Sequence, residues 1–247
     1  MRVFWLIAFL FFGKISGQVS GISDFLADDY GNFYFTDREQ FKIIKTDASG
    51  AEIARTAVRA PFRILSVRNP LSIALFSENT QSIIILDQNL TEIERIRLND
   101  LGWVKAVYAP DTQEVWLLNS DRRMLARYHL RERREISAIP LAINFMEIKD
   151  IIIFKDKIYI LSENSLNVFN LSGEMIKTFD VSGGKRLQIN NSELFITSSG
   201  RVESIMDDKL VTVYQLATDE EITLNSENAY ILKNCRIIAQ NFKKNTK

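Results

Sequence analysis

Cysteine occurs once, as Cys235, and histidine once, as His129, in a chain of 247 residues. A single cysteine excludes an intrachain disulfide, a CxxC redox pair and any multi-cysteine zinc site. A single histidine excludes a His-rich metal centre and a two-histidine catalytic site. Proline is scarce too: there are four, and none interrupts the apolar runs, as interior strands require. Charge of one sign is also lacking, because Lys+Arg and Asp+Glu are each 31 and the formal charge is zero. Nucleic-acid binding needs a basic footprint to neutralise phosphates, so no nucleic-acid partner is expected. What remains, 46% apolar and 25% charged residues, is the composition of an ordinary globular protein.

The longest apolar run lies at the start. Arg2 precedes Val3 to Gly13, an 11-residue stretch that suits the h-region of a secretory signal and falls short of the ~20 residues that span a bilayer. Lys14 ends it, and Ile15-Ser16-Gly17 offers small residues for cleavage before Gln18. Residues 1–17 therefore read as a secretory signal peptide and residues 18–247 as a single domain with no stable membrane span after cleavage. A buried N-terminal strand or an uncleaved anchor stays open as the rival. No cysteine lies near the site, which excludes a lipid-modified N-terminus of the bacterial lipoprotein type. Losing Arg2 and Lys14 leaves 29 basic against 31 acidic residues, a net charge of −2.

Beyond the leader, helical periodicity is nearly missing. Short runs such as Phe33-Tyr34-Phe35, Ile83-Ile84-Ile85-Leu86, Val115-Trp116-Leu117-Leu118 and Ile158-Tyr159-Ile160-Leu161 alternate with Asp, Asn, Gly and Ser, the pattern of strands and tight turns. One unit recurs. Ile44 to Ile53 has the form of an apolar strand, an Asp, a tight turn, a polar residue and an Ile. Ile85 to Ile93 and Val168 to Ile176 repeat it, Ile205 to Val213 is a degenerate copy, and Arg127 to Ile136 fits with one extra turn residue. The turn-opening positions are 47, 87, 129, 170 and 207, in steps of 40, 42, 41 and 37. A four-stranded antiparallel unit of ~40 residues is the signature of a propeller blade. The spacing predicts an all-β fold, a six-bladed β-propeller of four-stranded blades, with a five-bladed ring as the alternative. The first blade is expected at Asp24–Asp28, Phe33–Thr36, Phe41–Lys45 and Glu52–Val58. The sixth has three strands in view, Glu221–Leu224, Ala229–Leu232 and Cys235–Asn241, and the manner of ring closure is left open.

The stretch Ala27 to Asp37, with its Gly31-Asn32 turn and aromatic strand ending in Asp, followed by Ile43 to Gly50, resembles one blade of NHL-repeat propellers and of the wider TolB-like six-bladed group. The match is good over Ala27–Ile53 and fades elsewhere: Ser77 stands at the position of Asp37, and Pro70-Leu71 replaces the Gly-Asn turn. The resemblance implies the architecture and says little of function, because propellers host binding, scaffolding and catalysis alike.

No catalytic, cofactor-binding or metal-ligating set is assigned, and the binding residues are unknown from sequence. His129 occupies a turn-opening position held elsewhere by Asp47, Asp87, Asn170 and Asp207, which makes it a polar turn residue before a general base. The arginines 122, 123, 127, 131, 133 and 134 read as a solvated blade edge, diluted by Glu132 and Glu135. A channel Ca²⁺ or Mg²⁺ of the lactonase type would draw on Asp28, Asp29, Asp37, Glu78, Glu163 and Glu193, but turn chemistry explains most of these placements. No cofactor is expected, with calcium as the one exception that composition leaves open. Trp103, Trp116, Tyr108, Tyr128 and Phe145 are expected between blades. The segment Val181 to Arg186 is a glycine turn followed by lysine and lacks phosphate-loop spacing. The function expected is an exported, periplasmic or extracellular, non-enzymatic propeller that binds a protein or envelope component through loops at one mouth of the ring. A metal-dependent hydrolase with carboxylates lining the channel is the alternative.

Overall fold

A computed structural model describes residues 22–37, 39–111 and 113–240. The expected leader boundary at residue 17 lies outside them. Strands pair with their sequence neighbours throughout, and every pairing is antiparallel. Blade 1 holds β1 (Ile22–Ala27), β2 (Phe33–Asp37), β3 (Lys42–Thr46) and β4 (Glu52–Ala57). Blade 2 holds β5 (Arg63–Ser66), β6 (Ile73–Ser77), β7 (Ser82–Leu86) and β8 (Glu92–Arg97). Blade 3 comprises β9 (Val104–Tyr108), β10 (Glu114–Asn119), β11 (Met124–His129) and β12 (Arg134–Pro140). Blade 4 follows with β13 (Ile148–Phe154), β14 (Lys157–Ser162), β15 (Ser165–Asn170) and β16 (Met175–Asp180). Blade 5 is β17 (Gly184–Asn190), β18 (Glu193–Ser198), β19 (Arg201–Met206) and β20 (Lys209–Gln215). Blade 6 has three strands among the described residues: β21 (Glu220–Leu224), β22 (Ala229–Lys233) and β23 (Arg236–Gln240). Two short 3₁₀ turns, Asn99–Leu101 and Phe145–Glu147, are the helical elements described.

The core sits between blades, and side-chain alternation explains how. Successive residues of a strand point to opposite faces of its sheet. In β6, Ile73 and Leu75 pack towards blade 1 while Ala74 and Phe76 pack towards blade 3. In β7, Ile84 and Leu86 face blade 1 while Ile83 and Ile85 face blade 3. Strands buried on both faces need unbroken apolar runs, which is why the Ile83 to Leu86 run has no polar interruption. Six apolar clusters result, one for each junction between adjacent blades.

The sixth junction closes the ring. Leu232 and Ile237 of blade 6 pack with Phe25, Ala27, Phe33 and Phe35 of blade 1, and the ring of Tyr230 meets Phe33 edge-on at 5.0 Å. Hydrogen bonds add register: the Asn225 amide donates to the Asp28 carbonyl at 2.9 Å, and Ser226 donates its N–H and Oγ–H to Asp29 at 2.8 and 2.7 Å. The five-bladed alternative is set aside.

All five turn-opening positions fall on the hairpin between the third and fourth strands of their blades. Asp47 accepts N–H groups from Ser49 (2.8 Å) and Ala51 (3.0 Å). Asp87 accepts from Asn89 and Thr91, and Asn170 from Ser172 and Glu174. A short side-chain oxygen thus replaces two ladder partners inside each turn. His129 does the same work with its ring, Nδ1 accepting from the Glu132 N–H at 3.1 Å. Asp207 differs in kind: with Asp208 it forms a two-residue turn at φ of 47° and 60°, the mirror-image turn whose twist suits a tight hairpin.

Candidate functional site

The first strand of each blade lines the central channel. Five of these strands carry a register irregularity, near the start of β1, β9, β13 and β17 and towards the end of β5. In β9, β13 and β17 the extra residue is lysine each time: Lys105, Lys149 and Lys185. A bulge leaves one residue unpaired and re-aims its side chain. The same device therefore places an ammonium on three consecutive blades at the mouth where the inner strands begin.

Arginines cross the channel below that mouth. Arg63 of blade 2 donates to the carbonyls of Lys149 and Lys185, on blades 4 and 5, and pairs with Asp150 at 2.8 Å. Arg186 of blade 5 pairs with Asp24 of blade 1 and donates to the Ile64 carbonyl of blade 2 at 3.0 Å. Arg68 reaches the Ile189 carbonyl at 2.7 Å. Asp150 also accepts the Leu187 and Ile151 N–H groups, at 2.8 and 3.0 Å. Planar guanidinium groups suit this task because several N–H donors fan out in one fork. Blades 2 and 5, opposite one another in the ring, are tied directly.

This layer separates two cavities. The larger, about 430 Å³, opens where the inner strands begin; Phe62, Gly183, Gly184, Ser198, Ser199 and Leu216 form part of its wall. The smaller, about 270 Å³, opens at the opposite mouth beside Tyr108, Pro110, Gln188 and Asn225. Burial pushes the Tyr108 phenol above its ordinary value, with Arg68 opposing and Asp111 assisting. Gly184 is required by space: a Cβ there would sit 2.8 Å from Leu161 Cδ1 and 3.0 Å from the Ser162 carbonyl. At the rim of the larger cup Lys149 faces Glu163 at 3.4 Å and Lys185 faces Glu221 at 3.1 Å. Lys105 turns instead to Glu78, at 2.6 Å.

The six carboxylates considered for a channel metal do not converge. Asp28 is buried in the β1–β2 turn, accepting N–H groups from Tyr30 and Asn32 and the Tyr34 hydroxyl. Burial first, then the Asp28 charge and hydrogen bond, hold that phenol far above the ordinary tyrosine range. Asp29 binds Ser226, Asp37 caps Glu39 and Gln40, Glu78 holds Trp103 and Lys105, and Glu163 faces Lys149. Glu193 begins β18, towards the opposite mouth. The channel carboxylates are instead Asp24 and Asp150, which the sequence reading passed over. Among the described residues no group of three or more His, Cys, Asp or Glu is placed to hold a metal ion.

The arginine-rich segment divides between faces. Arg122 pairs with Glu135, Arg127 with Glu114 while lying 5.8 Å over Trp116, and Arg134 with Glu132. Of the aromatic set, Tyr128 and Phe145 are buried between blades and Trp116 and Tyr108 pack against that core. Trp103 departs from expectation. It is 42% exposed, with its indole N–H donating to Glu78 at 3.1 Å.

Together these features define a six-bladed β-propeller with a closed channel and a cup at each mouth. Solved structures share the architecture. A streptogramin B lyase is similar at a TM-score of 0.61 and 16% identity, covering 93% of this chain and 96% of that one. A Bacteroides thetaiotaomicron protein of unknown function is similar at 0.64 and 10% identity, over 92% and 71%. PorZ of Porphyromonas gingivalis, a surface component of the type-IX secretion system, is similar at 0.60 and 16% identity, over 92% of this chain and 32% of PorZ. At such identities the likeness is one of fold. No family model and no curated protein matches the sequence.

Proposed function

We propose that this chain is an exported, non-enzymatic propeller that binds a protein or cell-envelope component at the mouth where its inner strands begin. One observation carries the reading. The two channel carboxylates, Asp24 and Asp150, are each held by an arginine from another blade, so the channel's charged groups serve the ring, while the 430 Å³ cup above them is walled by loops of several blades. Surface loops on a rigid scaffold are where binding residues concentrate. Lyase chemistry of the kind suggested by the fold neighbours finds little support. A histidine-to-alanine variant of virginiamycin B lyase is catalytically inactive, whereas the single histidine here, His129, opens an outer hairpin turn. Export accords with the leader pattern of residues 1–17, and PorZ offers a surface-located propeller as precedent. Among the described residues no helix is long and apolar enough to cross a membrane.

The test is capture from an envelope extract by immobilised protein, compared with a Phe62→Asp/Ser199→Arg variant of the cup wall. Recovery of a polypeptide by the parent and its loss in the variant is the expected result. Equal recovery by both, or calcium-stimulated turnover of lactone or ester substrates by the parent, would refute the reading.

A further inference from the structure

We propose that the larger cup recognises a carboxylate carried by an acidic segment of the partner polypeptide, gripped by Lys149 and Lys185. This deepens the binding reading above and rests on it. Both lysines are the extra residues of inner-strand bulges, and both backbones are pinned by the guanidinium of Arg63 reaching across the channel. Their ammonium groups are therefore delivered from fixed main chain, although each side chain has a flexible stem. The third bulged lysine, Lys105, spends its charge on Glu78 and does not line the cup.

The present partners of the two lysines are weak competitors. Glu163 and Glu221 are 60% and 50% exposed, and exposed ion pairs contribute little in water. A ligand carboxylate entering the less solvated cup exchanges with them easily. Beneath, Arg63 and Arg186 are already committed to Asp150, Asp24 and carbonyls. Ser198 stands in the cup wall, 1% exposed, with its Oγ enclosed and without a hydrogen-bond partner. Phe62 supplies an apolar wall for the methylene stem of a Glu or Asp side chain.

Charge arithmetic selects a single negative charge over a phosphate dianion. The cup lining holds four bases, Arg63, Lys149, Lys185 and Arg186, against Asp24, Glu163 and Glu221, and Asp150 beneath it neutralises Arg63, so the balance is zero. A dianion would meet those four carboxylates at close range, whereas one carboxylate takes the place of a single glutamate displaced from its lysine.

The experiment uses the purified full chain and a fluorescent, end-capped hexapeptide with one Glu among Ser and Ala, read by anisotropy at low salt. Its Gln counterpart is expected to bind about tenfold more weakly, and Lys149→Gln or Lys185→Gln to weaken the Glu peptide about tenfold. Lys105→Gln leaves binding unchanged, and Glu163→Gln/Glu221→Gln tightens it severalfold by removing the internal competitors. Glutarate competes only at much higher concentration, showing that the peptide context contributes. Thermal melts verify that each variant is folded. Equal binding of Glu and Gln peptides, or indifference to both lysine substitutions, overturns the carboxylate site. Inorganic phosphate outcompeting the Glu peptide overturns the single-charge argument. Either failure leaves the mouth reading to its own capture test, which fails independently if the cup-wall variant captures as well as the parent.

Discussion

Removing Arg186 should cost this protein far more than removing an arginine that is drawn in an equally good ion pair on its surface. Arg186 and Asp24 have side chains only 11% and 21% exposed, and the guanidinium also serves the Ile64 carbonyl of a third blade. Arg186→Met keeps most of the stem but leaves Asp24 charged, shielded from water and without its counter-ion. Breaking a buried pair from one side costs roughly 3–5 kcal/mol. For a domain of this size each kcal/mol moves the melting temperature by about 2–4 °C, so the variant should melt roughly 6–20 °C lower. Arg55→Met is the comparison: Arg55 and Glu52 pair at 2.5 Å but are 52% and 41% exposed. Such a pair contributes at most about 1 kcal/mol. A double variant, Asp24→Asn/Arg186→Met, should be less destabilised than the sum of its single changes by about 0.5–3 kcal/mol. Denaturant or thermal unfolding with matched m-values reads all four. If Arg186→Met and Arg55→Met lose the same stability, the cross-channel pairs do not hold the ring and the reasoning fails.

Other perturbations test other links. The Tyr34 phenol, buried and hydrogen-bonded to Asp28, has its folded pKa raised above its unfolded value near ~10. Its stabilisation is full below that unfolded value and is lost as pH rises from there towards the folded pKa. Tyrosinate absorbance should therefore stay incomplete until unfolding releases Tyr34; complete native titration near ~10 would contradict the burial. Gly173→Ala should destabilise more than Gly31→Ala in matched melts. Both glycines have φ near 86°, but a Cβ at Gly173 meets the Pro140 carbonyl at 2.5 Å whereas at Gly31 nothing lies within 4 Å. Equal losses would mean that backbone strain alone decides both. Truncation after Asp207 removes β20 and blade 6 and leaves Phe25, Phe33 and Phe35 without Leu232 and Ile237. No cooperative melt should remain, and one at the parent temperature would show that the ring does not need to close.

The architecture was legible because its turns are chemically constrained. A side-chain acceptor opens four of the five outer hairpins described, so Asp47, Asp87 and Asn170 recur at nearly constant spacing, and even His129 could be placed by position. Apolar runs such as Ile83 to Leu86 were legible as strands buried on both faces. The channel was not. Arg63 and Arg186 meet partners from 86 to 162 residues away in sequence, and no local pattern marks which charges converge across a ring. Lys105, Lys149 and Lys185 escaped for a related reason: a bulge is a register relation between two strands, so a lysine after an apolar residue looks like any solvated position. The glycine turn before Lys185 was noted for what it lacks, whereas its part is to let β17 lie close against blade 4. Trp103 was placed between blades by its type. Glu78 holds it outside, and this contact across 25 residues carries no sequence signature.

Site-specific photo-cross-linking tests the central claim most directly. A photoreactive residue placed at Ser199, exposed on the wall of the larger cup, is compared with one at Ser49, exposed on the opposite face of the ring. In envelope extract a discrete adduct with a polypeptide should form from Ser199 and not from Ser49. Adducts from Ser49 with none from Ser199 would contradict binding at this mouth.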